Sequence, residues 1–237
     1  MKKIVTLINS DLRQIFRDKT LTVFLFAPLI LIVFVRLFVP YITEQYPIIL
    51  EYHPMIMMFA GIQTAIMFGF IISFIILDEK DENVLQVIRV LPISPFYFIL
   101  YRLFFATTFS TFGAFLIINL SCIAYPGITN SILLSIQYGL TAPFITLIIA
   151  TFAKNKVEGM AFFKGVDLIL LLPMLSFFVV GNIKYIFSII PAFWTYNLFK
   201  ASISNGDTIF FFIIGLTIYS FVISVLFMQF KKRIFDR

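Results

Sequence analysis

Six blocks of largely apolar residues, each about as long as a bilayer is thick in helical geometry, constrain this chain more than any other feature. They run over about 21–41, 54–77, 96–124, 131–153, 160–180 and 208–230. A backbone in hydrocarbon must satisfy its own N–H and C=O groups, so blocks of this kind become transmembrane helices. Of 237 residues, 61% are hydrophobic and 13% charged, and a soluble core needs neither that excess nor that deficit. Once six spans are drawn, only short connections and termini remain. The chain is therefore predicted to be an all-α membrane protein: a single transmembrane domain over 20–237, preceded by a short segment over 1–19.

The formal net charge of +6 matches nucleic acid, anionic lipid or a topology signal, and the positions of the charges decide among these. Lys2, Lys3, Arg13, Arg17, Lys19, Lys80, Arg89, Arg102, Lys154, Lys156, Lys164 and the tail from Lys231 to Arg237 all fall on one side of a six-span topology. Only Arg36, Lys184 and Lys200 fall on the other. Short basic loops stay in the cytoplasm, so both termini are expected there, in a multi-pass protein of the cell membrane. No nucleic-acid partner is needed to explain the basicity.

Two segments outside the spans have patterns of their own. Ile4, Ile8, Leu12 and Ile15 recur at spacings of four and three, with Lys3, Asp11, Arg13 and Arg17 read as lying off that stripe. This predicts an amphipathic helix in the membrane interface. The stretch 182–206 contains Ile189-Ile190-Pro191-Ala192-Phe193-Trp194. Either it dips into the membrane as a re-entrant segment before span six, or Trp194 anchors it at the interface.

Between spans two and three lies an acidic cluster, Asp78-Glu79-Lys80-Asp81-Glu82, followed by Val84, Leu85, Val87, Ile88 and Leu91 and then by Pro92 and Pro95. Carboxylates favour a helix start and prolines end a helix. The reading is a short amphipathic cytoplasmic helix whose apolar face is covered by lipid or by another protein.

Chemistry-bearing constellations are scarce. The chain has one histidine and one cysteine, which gives no set of metal ligands and no disulfide framework. No catalytic nucleophile with a base is recognisable, and no phosphate-binding G-x-x-x-x-G-K-[ST] loop occurs. No catalytic residue is assigned, and the chain is read as not itself an enzyme. Inside the spans, Lys164 and Asp167 are three residues apart on one helix face. They are read as a self-neutralising pair or as a polar feature of a pathway or subunit interface. Asn119 and Gln137 are read as interhelical hydrogen-bonding residues.

Taken in order, these features resemble the type-2 ABC transporter permeases over nearly the whole chain. The amphipathic start leads into Arg17-Asp18-Lys19 and a span with Ala27-Pro28-Leu29. The acidic loop carries Leu91-Pro92-Ile93-Ser94-Pro95 and then Tyr101-Arg102, and Pro191 to Trp194 precedes the last span. Asn83-Val84 departs from the glycine and threonine common at that place. The resemblance implies an exporter in which two permease subunits, identical or related, form the pathway among the membrane lipids. Separate ABC ATPase subunits would bind ATP and Mg, with no cofactor on this chain. It further implies that residues 79–91 form a coupling helix, with Glu79, Glu82, Val84, Leu85, Val87, Ile88 and Leu91 facing the ATPase. The alternative is an ATPase-independent channel or secondary transporter, which ordinarily carries polar or broken helices at mid-membrane.

Overall fold

The computed structural model describes residues 2–82, 95–179 and 181–234. Among these are nine α-helices and no strand: α1 (Lys2–Arg17), α2 (Lys19–Gln45), α3 (His53–Asp81), α4 (Pro95–Leu120), α5 (Ile128–Gly139), α6 (Thr141–Phe152), α7 (Lys156–Leu171), α8 (Ala192–Ile203) and α9 (Thr208–Ile234). Six stretches are long and apolar enough to cross a membrane, in agreement with the predicted six-span all-α fold. Each overlaps one predicted block.

The bundle is organised around α3, which packs against α2, α4 and α6. In its most apolar stretch 83% of residues are buried, against 22% in α2 and 17% in α9. Thus α3 is the core, and α2 and α9 present apolar side chains such as Ile30, Leu37, Ile209 and Phe221 outward. Close approach to α3 depends on small residues. A Cβ at Gly69 would lie 2.8 Å from the Ala142 carbonyl oxygen, and one at Gly61 equally near the Tyr138 ring.

Helix α1 is separate from span one. Asp18 breaks the helix in extended geometry and caps α2, its carboxylate accepting hydrogen bonds from the amides of Thr20 (2.8 Å) and Leu21 (3.4 Å). Asp11 does not lie off the apolar stripe as the spacing suggested. It is buried, one turn before buried Ile15, because Arg102 stands opposite it.

Three further expectations are corrected. Span three ends at Leu120 rather than Ala124, and Cys122 and Ala124 adopt left-handed φ of 59° and 45° in the connection that follows. Span four is two half-helices meeting at Leu140. Pro143 has no N–H to donate back to Gly139, and Gly139 sits so close to Thr111 that a Cβ would clash at 2.0 Å. Span five leaves α-geometry at Leu171 and continues as a 3-10 turn over Leu172–Phe177, where Pro173 interrupts the ladder.

The stretch before span six folds as a 3-10 segment, Asn182–Ile189, and then α8. At 12 residues, α8 is about 18 Å long, too short to cross. It forms a hairpin with α9 and also packs on α5, burying Phe193, Tyr196, Leu198 and Phe199. That cover is what a re-entrant backbone requires. The indole N–H of Trp194 donates to the Ser188 carbonyl at 2.9 Å.

Candidate functional site: an ionic hub at the basic end of the bundle

The acidic cluster after span two closes α3. Asp78, Glu79, Lys80 and Asp81 form the last turn of α3, with Glu82 as its C-cap. Carboxylates are unfavourable at the negative end of a helix dipole, so their placement there needs opposing charges. The fold supplies them from two other helices, Arg102 of α4 and Lys156 of α7.

Arg102 of α4 is the centre. Its side chain is 1% exposed, and it grips Asp11 of α1 (8% exposed) and Glu79 of α3 (15% exposed). Toward Asp11, Nη2 donates to Oδ1 at 2.7 Å and Nε to Oδ2 at 3.0 Å. Toward Glu79, Nη2 donates to Oε1 at 2.6 Å, and Nη1 donates to Oε2. The planar guanidinium fork matches both carboxylates two-pronged, which a lysine cannot do. The Tyr101 hydroxyl donates to Asp11 Oδ2 at 2.6 Å, and the Phe98 ring lies 4.3 Å beneath the guanidinium. A buried charge left alone is costly, and this geometry leaves none of the three alone.

A second node lies beside the first. Lys156, at the start of α7, pairs with Asp78 at 2.6 Å and Asp18 at 3.2 Å, and the Gln14 amide of α1 donates to Asp78 at 2.9 Å. Partial burial works against ionisation of Asp18, but hydrogen bonds from Lys156 and from the Thr20 and Leu21 amides outweigh it, leaving the carboxyl below its ordinary range. Lys80 Nζ donates to the carbonyls of Ala153 (2.6 Å) and Ala150 (3.5 Å), satisfying the end of α6. At the head of α7, Asn155 accepts from the Glu158 amide at 2.9 Å while Glu158 accepts from the Lys154 amide at 2.7 Å.

Both helix ends that bracket residues 83–94 are therefore tied to α1 by one network, and α6 and α7 are tied to the same end of α3. Of the residues expected to face an ATPase, Glu79 points inward onto Arg102 and Glu82 is exposed. Val84, Leu85, Val87, Ile88 and Leu91 lie outside the described residues. The partnership of Asp11, Tyr101 and Arg102 was missed from sequence. Its only trace there is an acidic residue on a helix face otherwise apolar, and a Tyr-Arg pair in a span.

The polar groups at membrane depth are arranged differently from expectation. Lys164 and Asp167 form no ion pair among the described residues. Asp167 Oδ1 instead accepts a 2.7 Å hydrogen bond from Gln63 of α3, and Lys164 is exposed. The facing amide reaches the carboxylate, and a long lysine side chain gains more by extending toward water. Asn119 bonds within its own helix, to the Phe115 carbonyl at 2.8 Å, whereas Gln137 does cross between helices, to the Phe211 carbonyl at 3.4 Å. Buried Tyr219 shares a 2.9 Å hydrogen bond with Thr141 at the break in span four, and Tyr196 donates to the Leu170 carbonyl at 3.0 Å. His53 is partly covered, its Nε2 2.8 Å from Thr43 Oγ1, and fastens the start of α3 to the end of α2. Among the described residues no group of three or more His, Cys, Asp or Glu is placed to hold a metal ion.

A family model described as "Fluoroquinolones export permease protein Rv2686c-like" matches residues 11–227. Two curated relatives from Mycobacterium tuberculosis are the fluoroquinolones export permease proteins MT2760 (strain CDC 1551 / Oshkosh) and Rv2686c (strain ATCC 25618 / H37Rv). Each is 28% identical over 236 residues, covering 95% of this chain and 92% of the relative. No solved structure matches the chain significantly.

Proposed function

The chain belongs to the family of Rv2686c-like fluoroquinolone export permeases, and from that premise we propose that it is the membrane half of an ATP-driven exporter of fluoroquinolone-like aromatic drugs. It is a multi-pass membrane permease of the type-2 ABC kind. In the proposed assembly two permease subunits form the pathway in the cell membrane, with both termini in the cytoplasm. Separate ATPase subunits dock beneath and bind ATP and Mg. Residues 79–91 carry the contact, with Glu82 and the apolar Val84, Leu85, Val87, Ile88 and Leu91 facing the ATPase and Glu79 standing behind them.

The observation that carries this reading is the Arg102 triad. A force applied to residues 83–94 reaches α3 and α4 directly, and through Glu79, Arg102 and Asp11 it reaches α1. A stiff buried network of this kind moves its helices together, as a rigid-body switch between inward- and outward-open states requires. Glu79 thus serves as a strut behind the docking surface, and Glu82 remains available at it.

Inverted membrane vesicles carrying the chain with its ATPase test the proposal. ATP-dependent accumulation of a fluoroquinolone, lost when the ATPase is omitted, is the expected result. A second reading, a carrier driven by an ion gradient, draws on the break in span four and the carboxylate at depth in α7. Accumulation that ignores ATP and follows an imposed proton gradient would establish it instead.

A further inference from the structure

Beyond Gln63 and Asp167, toward the end of the bundle opposite the hub, α2, α3 and the turn after α7 border an open groove of about 530 Å³. Its walls are almost wholly apolar and include Phe34, Phe38, Tyr52, Phe59, Met55 and Met174. The volume falls within the roughly 300–1,000 Å³ typical of small-molecule sites. Gln63 and Asp167 do not line the groove; they lie further into the bundle, past its Phe59 and Met174 walls. Gln63 lies one helical turn from Phe59 on the same face of α3, about 6 Å along the axis, and Asp167 lies two turns before Met174 on the opposing element.

Asp167 is the unusual member. It sits within a span, and its one hydrogen bond among the described residues comes from a neutral amide, to Oδ1. Oδ2 has no partner there, and no lysine, arginine or histidine among the described residues lies within ion-pair distance. A structural carboxylate at membrane depth is ordinarily matched by a cation of the protein. This one is half-buried, oriented by Gln63, and free on one side.

We propose that Asp167, oriented by Gln63, binds the protonated amine of an aromatic amphiphile whose ring system occupies the adjoining groove. Carboxylate and ammonium form a charge-assisted hydrogen bond in a low-dielectric setting. The phenylalanine, tyrosine and methionine walls suit a flat ring system and tolerate varied substituents. The inference rests on the export reading for its choice of ligand, because the relatives are named for fluoroquinolones, drugs that pair a flat bicycle with a basic amine. It assigns to Asp167 the role of charge selection.

Binding to the purified chain in nanodiscs of phosphatidylcholine, followed by drug fluorescence anisotropy, tests the site without any ATPase. The probes are a fluoroquinolone with a free piperazine amine and its N-acetylated counterpart, which keeps the ring carboxylate but lacks the cationic amine. The wild-type chain is expected to bind the amine about tenfold tighter than the acetylated form. Asp167→Asn, which keeps size and the Gln63 contact, should bring the two within about threefold, and Asp167→Glu should restore the preference. Phe59→Ala should weaken both probes alike. Carbodiimide modification of wild-type Asp167, read by mass spectrometry, provides a check that needs no variant: the amine should slow it and the acetylated probe should not. Absent binding, equal affinity for the two probes in the wild type, a preference that survives Asp167→Asn, or equal protection would each overturn the proposal. Amine-selective binding combined with ATP-independent transport would leave this site standing and remove the ATP-driven reading.

Discussion

Replacing Arg102 by methionine keeps most of the side chain's stem and removes the charge that two carboxylates share. Asp11 and Glu79 are 8% and 15% exposed, so water cannot take over the role of the guanidinium. Breaking a buried ionic network by deleting one partner costs about 3–5 kcal/mol, and Tyr101 loses the bond between its hydroxyl and Arg102 Nε (3.0 Å) as well. Asp11 is the residue through which α1 joins this triad, so the loss falls largely on the attachment of α1. If opening of α1 carries the whole cost, its open population rises roughly 150- to 4,000-fold. Hydrogen exchange of the amides from Leu7 to Arg17, followed by mass spectrometry in nanodiscs, reads this directly. The triple variant Asp11→Asn, Glu79→Gln, Arg102→Met should return exchange to near wild-type rates, because a neutral set leaves no uncompensated charge. Exchange in Arg102→Met within about threefold of wild type would refute the claim that the triad fastens α1.

Gly215 of α9 meets Gln137 so closely that a Cβ would lie 1.4 Å from the amide nitrogen. Gly215→Ala is expected to expel Gln137 and destabilise the bundle by about 1–3 kcal/mol, and adding Gln137→Ala should recover most of it in a thermal unfolding assay. The lowered pKa of Asp18 also predicts a pH dependence. Its contribution to stability is present above its unfolded value near 3.8 and is lost as pH falls through the lower folded value. Asp18→Asn should therefore lower stability at neutral pH by no more than about 1 kcal/mol and flatten the acid limb below pH 4. An acid limb unchanged by Asp18→Asn would exclude this source.

Much of the architecture was legible in the sequence because one constraint, backbone hydrogen bonding in lipid, acts on long stretches at once. The six spans were readable for that reason. Local interruptions were less legible: Gly139 and Pro143 break span four, and Pro173 turns the end of span five, yet apolar composition runs straight through all three. The hub was hidden for a different reason. Arg102 counted from sequence as one more basic residue on the cytoplasmic side, and Asp11 as a polar residue on a helix flank. Their meaning depends on α1 folding back against α3 and α4, a contact between residues 91 positions apart. The acidic cluster is plain in the sequence, but its place in the last turn of α3 is not, since charge alone does not tell the end of one helix from the start of the next when opposing side chains neutralise it.

The central claim is that residues 79–91 are where a motor protein grips this permease. Affinity purification of the chain co-expressed with its ATPase measures it most directly, comparing wild type with Val87→Asp, Ile88→Asp and Leu91→Asp. The account predicts that an ATP-hydrolysing chain co-purifies with the wild type and is released by each charged substitution, while the permease itself stays folded. Export by a wild-type permease that carries no such chain, or full retention of the ATPase by all three variants, would contradict it.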